Sequence, residues 1–209
     1  MKTLLKGGRV ASGGGVRRLD VLLEGETVAQ VGEALPDAGA RVVDCRGKIL
    51  FPGFIDGHTH FDLPVAGTVT ADDFATGSRA ALRGGTTMVV DYATPNKGET
   101  LAFGLAEWKK KAAGRCVCDY SFHMTIDDWS RDISREMGEM MDQGISTFKM
   151  YMTYPAMMIG EGQMFQALQR LRELGGLSGV HCENSGVIDE LVRQARAAGR
   201  TGPSSHPRT

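Results

Sequence analysis

The chain has 209 residues, with 24 Lys and Arg against 25 Asp and Glu, so its formal charge is −1. Hydrophobic residues make up 42% and charged residues 23%, the balance of a soluble globular protein long enough for one large domain or two small ones. Near-neutral charge argues against nucleic acid or an anionic membrane surface as the main partner, and no stretch reaches the ~18 apolar residues of a membrane span.

The opening residues, Met1-Lys2-Thr3-Leu4-Leu5-Lys6, lack the continuous apolar core of a signal peptide. Residues 1–52 read as β structure. Apolar runs at 4–5, 20–24, 27–31 and 41–44 are separated by Gly, Pro and Asp, which predicts a small sheet or sandwich. The pattern changes after Pro52-Gly53. A short apolar strand at 54–60 ends in His58-Thr59-His60. There follow helix 71–83, strand 86–91, helix 99–113, strand 117–124, helix 131–143, strand 145–150, helix 163–174, strand 179–182 and helix 188–198. Glycines at 84–85, 114, 144, 175–176 and 199 stop the five helices, each offering a left-handed cap. The Pro-rich tail 201–209 carries neither a helical nor a strand pattern.

Strands alternating with helices predict βα units on a parallel sheet. An eight-fold barrel uses ~31 residues per unit, so residues 53–209 hold about five units. Two architectures fit: a five-stranded open α/β sheet, or a (β/α) barrel of TIM type that is incomplete after its fifth unit.

Cys45, Cys116, Cys118 and Cys182 are not needed as staples in a chain of this size. Cys116 and Cys118 could be two soft metal ligands, but no second pair follows. All four are read as buried reduced thiols, which fits a cytoplasmic protein.

Three strand ends carry chemistry. In His58-Thr59-His60 alternate residues share one face, so both imidazoles can reach one point, and neutral imidazole ligates Zn²⁺ well. A chance surface pair is the alternative. Lys149 ends the fourth strand. A lysine aimed into a barrel mouth has its pKa lowered by burial, and a neutral amine can add CO₂ to become a carbamate. A strand-end lysine reaching solvent is the alternative, and from spacing alone the better one. His181 ends the fifth strand, with Glu183 two residues on to orient it. Taken alone, it is a hydrogen-bonded core imidazole. That all three fall at C-terminal strand ends, where α/β enzymes build their sites, raises them together.

The sequence resembles the cyclic amidohydrolases, nearest to the dihydropyrimidinase and D-hydantoinase family. The resemblance runs from Met1 to Thr209. It rests on Phe51-Pro52-Gly53-Phe54-Ile55-Asp56-Gly57-His58-Thr59-His60, Asp72-Asp73-Phe74 with Thr76-Gly77, and Gly84-Gly85-Thr86-Thr87. Asp119-Tyr120-Ser121-Phe122-His123, the run Phe148 to Tyr154, and His181-Cys182-Glu183-Asn184 complete it. It implies a metal-dependent barrel flanked by a β-sandwich, here an N-terminal sandwich portion (1–52) and the first part of the barrel (53–209). By position, His58 and His60 resemble ligands of a first divalent metal, Lys149 the carboxylated lysine bridging two metals, and His181 a ligand of the second. Tyr154 resembles the tyrosine that hydrogen-bonds the substrate carbonyl. The implied cofactors are two divalent ions, zinc foremost, and a carbamate on Lys149. The implied reaction opens dihydropyrimidines or hydantoins to N-carbamoyl amino acids, as in pyrimidine catabolism. The implied assembly is a homo-oligomer, tetrameric in the family.

The family pattern also needs a further histidine and an aspartate, the proton shuttle, from later strands. His206 and Asp189 match neither, so the chain is expected to correspond to the N-terminal part of such an enzyme and to be inactive alone. An allantoinase or dihydroorotase is the near alternative. Dihydroorotases place an arginine two residues after the second histidine, where this chain has Asp62, expected to repel a substrate carboxylate. The non-catalytic collapsin response mediator proteins are the alternative of another class.

Overall fold

The structure is a computed structural model and describes residues 1–65 and 67–209. It divides into two compact units, Met1–Phe54 and Ile55–Thr209.

The first unit is a five-stranded sheet. Its strands are β1 (Lys2–Ser12), β2 (Gly15–Glu24), β3 (Thr27–Gly32), β4 (Arg41–Asp44) and β5 (Ile49–Leu50), in the order β3-β2-β1-β4, with β5 also on β1. β1 pairs antiparallel with β2 and parallel with β4 and β5. Gly7-Gly8 makes a bulge within β1. The register slips between Leu5 and Gly8, and Gly7 takes φ 76°. The buried Asp20 carboxylate accepts from Gly7 N at 2.7 Å and Leu35 N at 3.0 Å, so one acid ties the bulge to the loop that packs Leu35.

The second unit alternates strand and helix: β6 (Phe54–Thr59), a hairpin β7 (Pro64–Val65) and β8 (Thr68–Val69), α1 (Phe74–Gly84), β9 (Thr86–Ala93), α2 (Leu101–Ala112) and β10 (Asp119–Thr125). It continues with α3 (Arg131–Asp142), β11 (Thr147–Tyr151), α4 (Glu161–Leu174), β12 (Leu177–His181) and α5 (Ser185–Ala197). The sheet order β6-β9-β10-β11-β12 follows chain order, and the three pairs from β9 to β12 are parallel. An open doubly wound sheet reverses its strand order at a switch point. Among the described strands there is no reversal, so crossovers of one hand keep the helices to one face, as in a barrel. The unit is five βα repeats of a (β/α) barrel.

Local chemistry sets the element ends. Asp73 accepts from Thr76 N at 2.7 Å and closes a capping box on α1; Thr100, Ser130 and Asn184 cap α2, α3 and α5 by accepting from the backbone N–H three residues on, without the reciprocal bond. Gly85 and Gly175, at φ 89° and 70°, close α1 and α4. The core lies between helices and sheet, with Phe74, Leu101, Leu105, Met137, Phe148 and Met150 almost wholly buried.

Two expectations are corrected. The tail is not plain loop, because Pro203–Arg208 forms a 3₁₀ helix started by proline at its first turn. Of the four thiols, all free, only Cys45 is buried; Cys116 and Cys118 are half-buried and Cys182 is exposed. Among the described residues no helix is long and apolar enough to cross a membrane.

Candidate active site

A cavity of ≈ 840 Å³ opens at the C-terminal ends of the sheet, and His58, His60, Lys149, Tyr154 and His181 all line it. The pleat brings the first two together. His58 and His60 have ring centroids 5.1 Å apart, and each lies 4.8 Å from the ring of Tyr92 at the end of β9. Lys149 Nζ lies 5.8 Å from the Tyr92 ring and 5.2 Å from that of Tyr151. The Tyr151 ring stacks on His181 at 5.9 Å, and Tyr154 sits 5.2 Å from His181. Tyr92 and Tyr151 thus space the nitrogens along the strand ends.

The electrostatics favour neutral nitrogen. Burial, then Lys149 and His123, lowers the pKa of His58. Burial, then His58 and Lys149, lowers that of His60. Burial lowers the Lys149 amine. Unprotonated imidazole binds metals and unprotonated amine binds CO₂, so each shift is in the direction the chemistry needs. His60 Nδ1 is buried with no hydrogen-bond partner. A buried, unsatisfied polar atom costs about 1–3 kcal/mol, a cost removed when a cation takes the lone pair. Glu183 Oε2 lies 2.7 Å from His181 Nε2 and fixes that ring. Among the described residues no three His, Cys, Asp or Glu side chains converge to hold a metal by themselves. His58, His60 and His181 on the cavity are donors of the type that ligates a divalent ion.

Other residues hold these in place. Asp91, buried on β9, accepts from Thr59 Oγ1 (2.9 Å), Phe61 N (2.8 Å), Tyr92 N (2.8 Å) and Trp108 Nε1 (3.1 Å). It takes the Thr59 side chain on one side of His60 and the Phe61 backbone on the other. Gly77 lets α1 approach Phe61 closely, for a Cβ there would meet the Phe61 ring at 2.2 Å. Tyr154 is held at φ 66°, a left-handed conformation costly for a bulky residue. Its carbonyl accepts from Met157 N and Met158 N, and Lys97 Nζ donates to Pro155 O (3.0 Å) and Met158 O (3.1 Å), strapping that loop.

Sequence reasoning missed Tyr92, Tyr151, Lys97, Asp91 and Asp127. Asp91 ends the strand expected from sequence at 86–91, although β9 runs on to Ala93, and the criterion that selected Lys149 could have found it. Asp127 lines the cavity, and burial pushes its carboxyl up to about 6. Asp62 does not act as expected. At φ 52° it turns its carboxylate to Phe74 N (3.3 Å) and Arg115 (3.6 Å), and it does not line the cavity. It therefore repels nothing there. His206 and Asp189 also lie off the cavity lining.

Histidines at the first and fifth strand ends of a (β/α) barrel sheet and a lysine on its fourth strand thus share one cavity. Residues 49–206 match the model of the amidohydrolase family, and the chain belongs to that family. It is 42% identical to a D-hydantoinase of Streptomyces coelicolor over 98% of this chain and 45% of that protein. It is 38% identical to a dihydropyrimidinase of Rattus norvegicus over 98% of this chain and 41% of that one. The crystal structure of a dihydropyrimidinase from Brevibacillus agri superposes with a TM-score of 0.93 at 41% identity, over 97% of this chain and 44% of that one. The chain thus spans under half the length of these relatives.

Proposed function

We propose that this chain carries the first part of the active site of a cyclic-amide hydrolase that opens dihydropyrimidines or 5-substituted hydantoins to N-carbamoyl amino acids. The observation that carries the reading is the set of nitrogens on one cavity, with His60 Nδ1 buried and unpartnered. In this reading His58 and His60 would hold one divalent ion and His181 a second, and Lys149, as its carbamate, would add oxygen ligands to the site. Zinc is the metal that imidazole and carbamate oxygen suit best. Bound metal would supply Lewis acidity toward the ring carbonyl and lower the pKa of an attacking water.

The chain's own groups do the rest. The Tyr154 phenol donates to the ring carbonyl oxygen and to the negative charge that develops on it. Its strained backbone and the Lys97 strap preset that position. Tyr92 and Tyr151 keep bulk water from the strand ends. Among the described residues lining the cavity there is no arginine, and Lys97 is engaged by two backbone carbonyls. This supports a ring without a carboxylate over a dihydroorotase-type substrate. The homology further supports residues 1–52 as a β-sandwich portion, a homo-oligomeric (tetrameric) assembly, a cytoplasmic location and a part in pyrimidine catabolism.

Among the described residues the cavity is lined by three histidines, by Lys149, by Lys97, which is held by two backbone carbonyls, and by one carboxylate, Asp127, a sparse donor set for two metals. The chain alone is therefore expected to bind zinc weakly and to open neither ring. The test is to co-express it with the remaining half of a D-hydantoinase and assay hydantoin and dihydrouracil. Ring opening that is lost in His58→Ala, and lost in Lys149→Ala but partly restored by small carboxylates, supports the reading. Full activity of Lys149→Ala would overturn the carbamate. Zinc binding in the complemented protein without ring opening of either substrate would favour the non-catalytic reading.

A further inference from the structure

The thiols that spacing leaves as ordinary reduced cysteines meet at the other end of the sheet. Cys116 and Cys118 lie just before β10, at its N-terminal end, whereas the cavity is built at the C-terminal ends of the strands. Their sulfurs are 3.9 Å apart, and both residues are half-buried and free. The backbone between them is fixed from two sides. Cys116 N donates to Ala112 O at 2.9 Å, at the end of α2. Val117 N donates to the hydroxyl of Ser78 at 3.1 Å, and Ser78 is fully buried on α1. The sulfurs are thus presented by a pinned segment outside the strand, not by the pleat of β10.

That separation has a chemical meaning. A tetrahedral cation with metal–sulfur bonds of ~2.3 Å spans two sulfurs about 3.8 Å apart. Without a cation the two thiols touch only each other and, through Cys116 Sγ, the Cys118 carbonyl at 3.4 Å. Burial and then the adjacent Cys116 push the Cys118 thiol up to about 11, so the thiolate needs a cation to form at neutral pH. Thiolate selects soft d¹⁰ ions over magnesium or calcium.

We propose that Cys116 and Cys118 form a second, two-thiolate seat for one soft d¹⁰ cation, separate from the histidine cavity. On binding, each thiol releases one proton to solvent and forms one metal–sulfur bond, with no change of oxidation state. Among the described residues no third His, Cys, Asp or Glu is placed to complete the site. Water fills the remaining positions, which the half-exposed segment allows. A stoichiometry of metal per chain therefore counts this seat as well as the cavity.

The test uses the reduced 209-residue chain and Cd²⁺ alone, read by the ultraviolet thiolate-to-cadmium charge-transfer band. The expected result is one tightly bound cadmium with a two-thiolate band, before any weaker binding at the cavity. Cys116→Ser or Cys118→Ser should lose about half of that band and the tight phase of the titration, while Cys182→Ser and His60→Ala keep both. A second readout needs no variant: Cd²⁺ should shield Cys116 and Cys118, but not Cys182, from alkylation followed by mass spectrometry. A band unchanged by either serine, a band lost with Cys182→Ser, or equal alkylation of Cys116, Cys118 and Cys182 in the presence of Cd²⁺ would each overturn the proposal.

Discussion

The central strands of the second unit and its two flanking strands contribute to one cavity but are held by different forces. On β11, Phe148, Lys149, Met150 and Tyr151 are all buried, and β9 is buried from Asp91 to Ala93. On β6 only Thr59 is buried, and Ile55 is 66% exposed; on β12 no residue is buried, and Leu177 is 68% exposed. Lys149 therefore stands on packed core. His58, His60 and His181 stand on strands held chiefly by polar contacts. Asp91 takes Thr59 Oγ1 and Phe61 N, His123 Nε2 donates to Gly57 O at 2.9 Å, and Met152 N donates to His181 O at 3.0 Å. Packing sets the centre of the site, and hydrogen bonds set its sides.

The largest expected effect breaks the centre. Phe148→Ala empties a fully buried position and should cost about 3–5 kcal/mol in urea denaturation. A loss under about 1 kcal/mol would mean the central sheet is not the stabilising core. Next comes the tie between centre and side. Asp91→Ala leaves four donors without their acceptor and should cost about 2–4 kcal/mol. It should also broaden the His60 imidazole resonances, since the Thr59 hydroxyl and the Phe61 N–H that flank that residue are released. Unchanged His60 signals would show that packing alone holds β6.

A smaller effect has the opposite sign. Asp127 is buried at the cavity with its pKa raised from 3.8 to about 6, by burial first and then by Asp128 and Glu99, with Lys97 opposing. Folded pKa above unfolded pKa means the group disfavours folding once it must ionise. The penalty is absent below about pH 4 and complete above about pH 6. Asp127→Asn should therefore stabilise the chain at pH 7.5 by about 1–2 kcal/mol, after allowance for solvent in the cavity, and by nothing at pH 3.5. Equal stabilisation at both values would assign the effect to something other than charge. The smallest effect probes the flanks. Ile55→Ser and Leu177→Ser should each change stability by no more than about 0.5 kcal/mol. They should reduce self-association in sedimentation, because exposed apolar strands at a sheet edge recruit other chains.

The alternation of strand and helix was legible because glycine stops, caps and apolar runs recur at regular intervals. Element bounds shifted by only one to three residues. Two-residue strands such as β7 and β8 are too short to carry a periodic signal, and Pro203–Arg208 reads as loop because proline masks its 3₁₀ turn. His58, His60 and His181 were legible because each lies at a strand end, and Lys149 because the apolar run around it reads as a strand stopping at 150, although β11 runs on to Tyr151. Environment was not legible. Strand spacing cannot show that Asp91 collects four donors or that Asp127 is buried. Nor can it show that a left-handed Asp62 turns toward α1, or that a pinned loop brings Cys116 and Cys118 together.

The central claim is that the cavity nitrogens act as one metal centre. The most direct test is zinc titration of the Cys116→Ser/Cys118→Ser chain, followed through the imidazole nitrogen resonances of its five histidines. His58, His60 and His181 should shift together, while His123, bonded to Gly57 O and Thr147, and His206, off the cavity, should not move. Equal shifts in all five, or none in the three cavity histidines at saturating zinc, would contradict the account.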